Sequence, residues 1–156
     1  MEIINLTIEQ VLKLDIENKN VLIIGCPASG KTWLSNQFKS NHTIIHTDDY
    51  MQFGYEQSMY EVLNYIIKSE TNTLVEGVQG YRLLRKGIQL GNYHPDIVIQ
   101  LIISEERMIN TYSSERDEKK IKYLKGFNRM YDKIISDYFE LENPNQPIWI
   151  NVENEY

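Results

Sequence analysis

The sequence predicts an α/β protein built on an open parallel sheet with helices on both faces. Three observations carry the prediction. Short β-branched runs alternate with amphipathic, helix-length segments along the whole chain. The run Ile97-Val98-Ile99-Gln100-Leu101-Ile102-Ile103 is apolar on both faces, as a central parallel strand must be. Val21-Leu22-Ile23-Ile24 leads through a glycine-bounded turn straight into a helix-compatible stretch, Lys31 to Lys39.

Taken in order, Thr7-Ile8-Glu9-Gln10 fits a capping box that opens a short helix to about Lys13. The first strand is expected over Asn20–Ile24, and the second over Thr43-Ile44-Ile45-His46, ending at Thr47-Asp48-Asp49-Tyr50. From Gln57 to Lys68, Met59, Val62, Leu63, Ile66 and Ile67 follow a helical period. Thr73-Leu74-Val75-Glu76 is a third strand, closed by Gly77. A helix follows from about Tyr81 to Leu90, with Gly91 as its stop. After the 97–103 strand, Ser104 caps a helix carrying Glu105 and Glu106 in its first turn. A long helix spans roughly Glu118 to Glu140, where Ile121, Leu124, Phe127, Tyr131 and Ile134 step by three or four residues. Asn143-Pro144-Asn145 stops it, and 147–152 is the fifth strand. The chain shows neither an internal repeat nor a low-complexity linker.

A chain of 156 residues suits a single domain with one sizeable core, here 1–156. Its 42% hydrophobic and 24% charged content is that of an ordinary globular protein. No apolar run approaches the ~20 residues of a membrane span. The N-terminus lacks the basic and long apolar regions of a secretory signal. The lone Cys26 excludes an intrachain disulfide and favours a reducing, cytoplasmic setting. These features exclude a membrane partner and leave a monomer or a homodimer open. Net charge is −6, which disfavours non-specific nucleic-acid binding. The charge is uneven. Between residues 107 and 133, Arg107, Arg116, Lys119, Lys120, Lys122, Lys125, Arg129 and Lys133 outnumber Glu115, Asp117, Glu118 and Asp132. That basic segment suits either a focused anion site or a solvated helix face.

Gly25-Cys26-Pro27-Ala28-Ser29-Gly30-Lys31-Thr32 reads G-x-x-x-x-G-K-T, the phosphate-binding P-loop, and its strand and helix flanks give it the right context. The glycines let successive N–H groups point inward around an anion. Lys31 is expected to reach the β- and γ-phosphates of ATP or GTP, and the Thr32 hydroxyl to bind Mg²⁺. In parallel α/β sheets the carboxyl ends of the strands converge on one crevice, which collects the loop, Asp48-Asp49 and Glu76. Phosphoryl transfer needs a group to orient the attacking oxygen or take its proton, and Asp48 or Asp49 is placed for it. The same pair also suits a helix cap. Glu76 would hold Mg²⁺ through water or bond the acceptor. Tyr50, Tyr55 and Tyr81 flank the acceptor cleft, and Arg82, Arg85 and Lys86 suit an acceptor phosphate or phosphodiester. His42, His46 and His94 lack metal-ligand spacing and read as surface or satisfied histidines.

The P-loop, continued by Trp33 and followed by Asp48-Asp49-Tyr50, resembles the kinase domain of phage polynucleotide kinases. That resemblance implies that Asp48 is the general base. Met51 stands where that family has a substrate-contacting arginine. Leu74-Val75-Glu76-Gly77 resembles the third strand of uridine kinases and related small-molecule kinases. Pro95-Asp96-Ile97-Val98-Ile99, Arg107 and Ser114-Glu115-Arg116-Asp117 are similar to the lid passage of that group, with Thr111 and Tyr112 in place of its tandem arginines. The resemblance implies a P-loop NTPase fold with an adenylate-kinase-like sheet of order 2-3-1-4-5 and a small lid around 107–125. It also implies Arg116, and Arg107 a turn or two earlier, at the nucleotide. The expected activity is transfer of the γ-phosphate to a hydroxyl of a nucleoside, nucleotide or similar small molecule. A polynucleotide 5′-hydroxyl or modified-base DNA kinase is the alternative, so nucleic acid stays open as a partner. A nucleotide switch or ATPase without an acceptor is a third. The chain has no guanine-reading N-K-x-D segment and no apolar strand ending in Asp-Glu, as those two classes would need.

Overall fold

β2 (Val21–Gly25) is the strand around which the sheet is organised. In the computed structural model, which describes residues 2–38, 40–111, 116–140 and 146–154, its Val21, Leu22, Ile23 and Ile24 are wholly buried. Each such aliphatic side chain contributes about 1.5–3 kcal/mol relative to an exposed one. Two-sided burial of a β-branched run is what fixes it at the centre. β2 pairs with β4 (Thr73–Glu76) on one side and with β5 (Ile97–Ile102) on the other. β3 (Thr43–His46) lies beyond β4, β6 (Ile148–Glu153) beyond β5, and β1 (Ile3–Leu6) beyond β6. The order is β1-β6-β5-β2-β4-β3, and every pair is parallel.

The expected five-strand sheet of order 2-3-1-4-5 is therefore corrected to six strands. The difference is Ile3–Leu6, which pairs with β6 as a sixth strand at the edge of the sheet. It is an edge strand of four residues whose Ile4 and Asn5 are exposed, so it lacks the apolar signature of its buried neighbours.

Alternation along β2 divides the core. Val21 and Ile23 face α1 (Ile8–Val11) and α2 (Lys31–Gln37), joining Ile8, Val11 and Leu34. Leu22 and Ile24 join the opposite cluster, built from α3 (Tyr55–Lys68), α4 (Gly80–Leu90), α5 (Glu105–Thr111) and α6 (Asp117–Glu140). Met59, Leu84, Met108, Phe127 and Tyr131 belong to that cluster. Helices thus cover both faces, and none among the described residues is long and apolar enough to cross a membrane.

Local chemistry sets the boundaries. Thr7 Oγ1 accepts the Gln10 N–H at 3.2 Å while Gln10 Oε1 accepts the Thr7 N–H at 2.9 Å, the reciprocal capping box of α1. Ser104 Oγ accepts the Arg107 N–H at 3.1 Å ahead of α5. Gly91, left-handed at φ 66°, ends α4. One element was not foreseen. Thr47–Phe53 forms a 3-10 helix, so Asp48 and Asp49 lie in its first turn rather than on a strand end, and α3 starts at Tyr55 rather than Gln57. The helix stop at Asn143-Pro144-Asn145 and residues 112–115 of the expected lid lie outside the described residues.

Gly77 couples this 3-10 helix to the end of β4. Its φ is +148°, and a Cβ there would lie 1.8 Å from Thr47 Oγ1. Gly77→Ala is expected to destabilise the fold by about 2–4 kcal/mol through backbone strain and overpacking. Urea unfolding checks this, and an unchanged midpoint would show that Thr47 and β4 are not locked together.

Candidate functional site

The carboxyl ends of β2, β3 and β4 lie side by side, and register decides what they bring together. Ile23 pairs with Glu76, and Glu76 with His46. The Gly25–Thr32 loop leaves β2 at this edge. It is a tight structure: the Ser29 N–H donates to the Cys26 carbonyl at 3.2 Å, and Ala28 and Gly30 take positive φ of 62° and 97°. A side chain at Gly30 would collide with Asn154, whose Nδ2 lies 2.7 Å from the position of its Cβ.

Lys31 opens α2 with its side chain folded back over the loop. Its Nζ donates to the Cys26 carbonyl at 2.8 Å and to Ser29 Oγ at 3.4 Å. It is only 7% exposed. Burial lowers the pKa of this ammonium from the ordinary lysine value, and nearby Cys26, Glu76 and Asp48 oppose that shift. A desolvated cation held by neutral oxygens is poised for a stronger anionic partner. Burial also pushes up the Cys26 thiol, against the pull of Lys31 and Arg107, and Cys26 is buried in the loop. Pro27 is half-buried and Ser29 is fully buried.

Thr32 Oγ1 donates to Glu76 Oε1 at 3.1 Å, so the loop hydroxyl meets the carboxylate that ends β4. Glu76 is 4% exposed. The same oxygen accepts from His46 Nδ1 at 2.5 Å. A hydroxyl and a carboxylate are hard oxygen donors of the kind Mg²⁺ takes, together with water and phosphate oxygens. Among the described residues no cluster of three or more His, Cys, Asp and Glu forms a self-sufficient metal cage. Thr32 and Glu76 supply two such oxygen donors side by side, so a cation there would need its remaining ligands from water or a bound molecule.

Asp48 and Asp49 are both exposed, and their surroundings differ. The charge of Asp48 acts on Lys31, whereas that of Asp49 acts on Tyr50. The Tyr50 hydroxyl is pushed up by burial first, then by Tyr65, Asp49 and Glu61. The Tyr50 carbonyl accepts from Ser58 Oγ, which ties the 3-10 helix to α3.

Arg107 was expected at the nucleotide phosphates. Its guanidinium lies on the loop, donating to the Ala28 carbonyl at 3.2 Å and to the Asn154 carbonyl at 2.8 Å. Asn154 Nδ2 donates in turn to the Ser29 carbonyl at 2.9 Å. Asn154 follows β6 and carries no linear motif, so only the fold could reveal it. Beside these contacts, Ile8, Leu12, Trp33 and Arg107 line a groove of about 420 Å³, with Trp33 47% exposed. An apolar wall with a guanidinium face suits a flat aromatic ring.

Arg116 is exposed directly before α6, and no described contact ties it to the loop. The basic segment around it is not one surface. Lys120 is 3% exposed and donates to the Ile109 carbonyl at the end of α5, so it is a helix-capping lysine. Lys119, Lys122 and Arg129 line a second groove, of about 650 Å³, with Tyr55, Tyr81 and Arg82. There the Arg82 guanidinium lies 4.1 Å from the Tyr55 ring centroid, and its Nε donates to the Tyr81 hydroxyl at 2.8 Å. Tyr81 is itself mostly buried, edge-on to Phe127 and Tyr131. Lys86 is engaged by Glu56 and by the Tyr60 ring, and Arg85 is exposed.

No protein-family model and no curated protein sequence matches this chain.

Proposed function

We propose that this protein is an ATP-dependent kinase that transfers the γ-phosphate to a hydroxyl of a nucleoside, nucleotide or similar small molecule. The observation that carries the reading is the meeting, at the carboxyl ends of β2 and β4, of a folded-back Lys31 and the Thr32–Glu76 contact. The Gly25–Thr32 amides would cradle the phosphates, and Lys31 would exchange the Cys26 carbonyl for phosphate oxygens. The base would lie in the groove beside Trp33 and Arg107. Mg²⁺ bound at Thr32 and Glu76 would neutralise charge on the transferring group. Asp48 would accept the proton of the acceptor hydroxyl as its oxygen bonds to phosphorus and the bond to the leaving β-phosphate oxygen breaks. The acceptor would lie towards the Tyr55–Arg82 groove, and Arg116 would approach from the start of α6.

A second reading, a kinase acting on a polynucleotide hydroxyl or on a modified base in DNA, is favoured by one observation. The Tyr55–Arg82 groove combines rings with Lys119, Lys122 and Arg129, which suits bases and phosphodiesters together. ADP formation with Mg²⁺, measured alone and with nucleosides, nucleoside monophosphates or 5′-hydroxyl oligonucleotides, tests the proposal. A kinase makes ADP faster when its acceptor is added. Acceptor-independent ADP formation would favour a bare ATPase, and none at all would overturn both readings.

The lid role of Arg116 has its own test. Arg116→Ala is expected to slow single-turnover transfer by roughly 10²-fold while ATP affinity changes little, because such an arginine acts on developing charge. An unchanged single-turnover rate would leave Arg116 a solvated side chain.

A further inference from the structure

We propose that His46 is a positioning residue for the metal-bearing edge of the site: its imidazole holds the Glu76 carboxylate in place and so sets how tightly Mg²⁺ is retained beside the nucleotide. The inference rests on the kinase reading above. It starts from register. β3 and β4 are parallel neighbours, and His46 is paired with Glu76 at the last position of both strands. Residues paired in this way direct their side chains to the same face of the sheet. Thr43-Ile44-Ile45-His46 and Thr73-Leu74-Val75-Glu76 thus deliver an imidazole and a carboxylate to one point.

The contact there is close. His46 Nδ1 lies 2.5 Å from Glu76 Oε1. A carboxylate only accepts, so the imidazole donates from Nδ1. Thr32 Oγ1 donates to the same oxygen at 3.1 Å. Two donors converging on one oxygen from different elements, β3 and α2, leave the carboxyl group little freedom to rotate. Glu76 is nearly fully buried, whereas the His46 side chain is one-third exposed. A carboxylate buried without donors is costly, so the imidazole also helps to keep Glu76 in this position.

Small hard cations demand near-ideal ligand geometry, and the groups that orient a ligand govern affinity almost as strongly as the ligand does. Losing such a partner typically costs roughly 10–100-fold in metal affinity. His46 carries no spacing motif that would mark it in the sequence. Its role comes from strand pairing alone.

The test measures ATP affinity by equilibrium titration, with Mg²⁺ and with chelator, in the wild type, His46→Ala and His46→Asn. No acceptor is present, so turnover plays no part. Asparagine offers an N–H at about the reach of Nδ1 and serves as the conservative variant. The expected result is that Mg²⁺ strengthens ATP binding in the wild type, that His46→Ala loses roughly tenfold or more of affinity only when Mg²⁺ is present, and that His46→Asn restores most of it. Equal Mg²⁺ dependence in the wild type and His46→Ala would overturn the inference. So would an equal loss with and without the metal, or a failure of His46→Asn to restore binding, since both describe a merely structural pair. If the wild type does not bind ATP more tightly with Mg²⁺, the kinase reading falls first and this inference with it.

Discussion

Lys31→Ala is expected to weaken ATP binding strongly while leaving the fold intact. Hydrogen bonds to charged groups are worth about 1.5–3 kcal/mol, which corresponds to roughly ten- to hundred-fold in affinity. Turnover should fall further, by roughly 10²–10³, because the ammonium also meets charge that grows during transfer. The structural side of the prediction is equally definite. Lys31 is buried against neutral oxygens, and burial holds its pKa below the ordinary lysine value. Removing the ammonium removes the cost of burying it and also its bonds to the Cys26 carbonyl and Ser29 Oγ; the two offset, so the variant should unfold close to the wild type. The two measurements are ATP titration and thermal unfolding. A variant that binds ATP normally, or one that fails to fold, would show that Lys31 serves the loop rather than a ligand.

Asp48→Asn is expected to separate chemistry from binding. The substitution keeps size and shape and loses the base. Acceptor phosphorylation should fall by roughly 10²–10⁴, while ATP affinity stays within a few-fold. Asp49→Asn should cost less. The asymmetry is expected from the resemblance, which makes the first aspartate of the pair the base; both carboxylates are exposed in the first turn of the 3-10 helix. The reverse result, an essential Asp49 and a dispensable Asp48, would shift the site by one residue. Loss of neither would place the acceptor chemistry elsewhere.

Residues whose role is local were legible in the sequence. Val21–Ile24 announces a buried strand by composition, Thr7 and Gln10 announce a cap by spacing, and Gly91 announces a helix end. The Gly25–Thr32 motif places its own flanks because strand, turn and helix are contiguous. Residues whose role depends on pairing between distant strands were not legible. Nothing near Asn154 in the chain says that it reaches Ser29, since that contact is set only when β6 takes its place beside β5. His46 has no ligand motif and reads as a surface or satisfied histidine; only strand register shows that Glu76 is what satisfies it. Lys120 illustrates the opposite case. Counted among the basic residues of 107–133, it is spent inside the molecule on the end of α5. β1 escaped notice because an exposed edge strand of four residues has little apolar pattern to read.

The most direct test of the central claim follows the label itself. The protein is incubated with γ-labelled ATP, Mg²⁺ and a panel of nucleosides, nucleoside monophosphates and 5′-hydroxyl oligonucleotides, beside the Asp48→Asn variant, and the products are separated. The account predicts label covalently attached to the hydroxyl of one class of acceptor, made by the wild type and nearly absent with Asp48→Asn. Label released only as inorganic phosphate, or ATP left unconsumed with every acceptor, would contradict it.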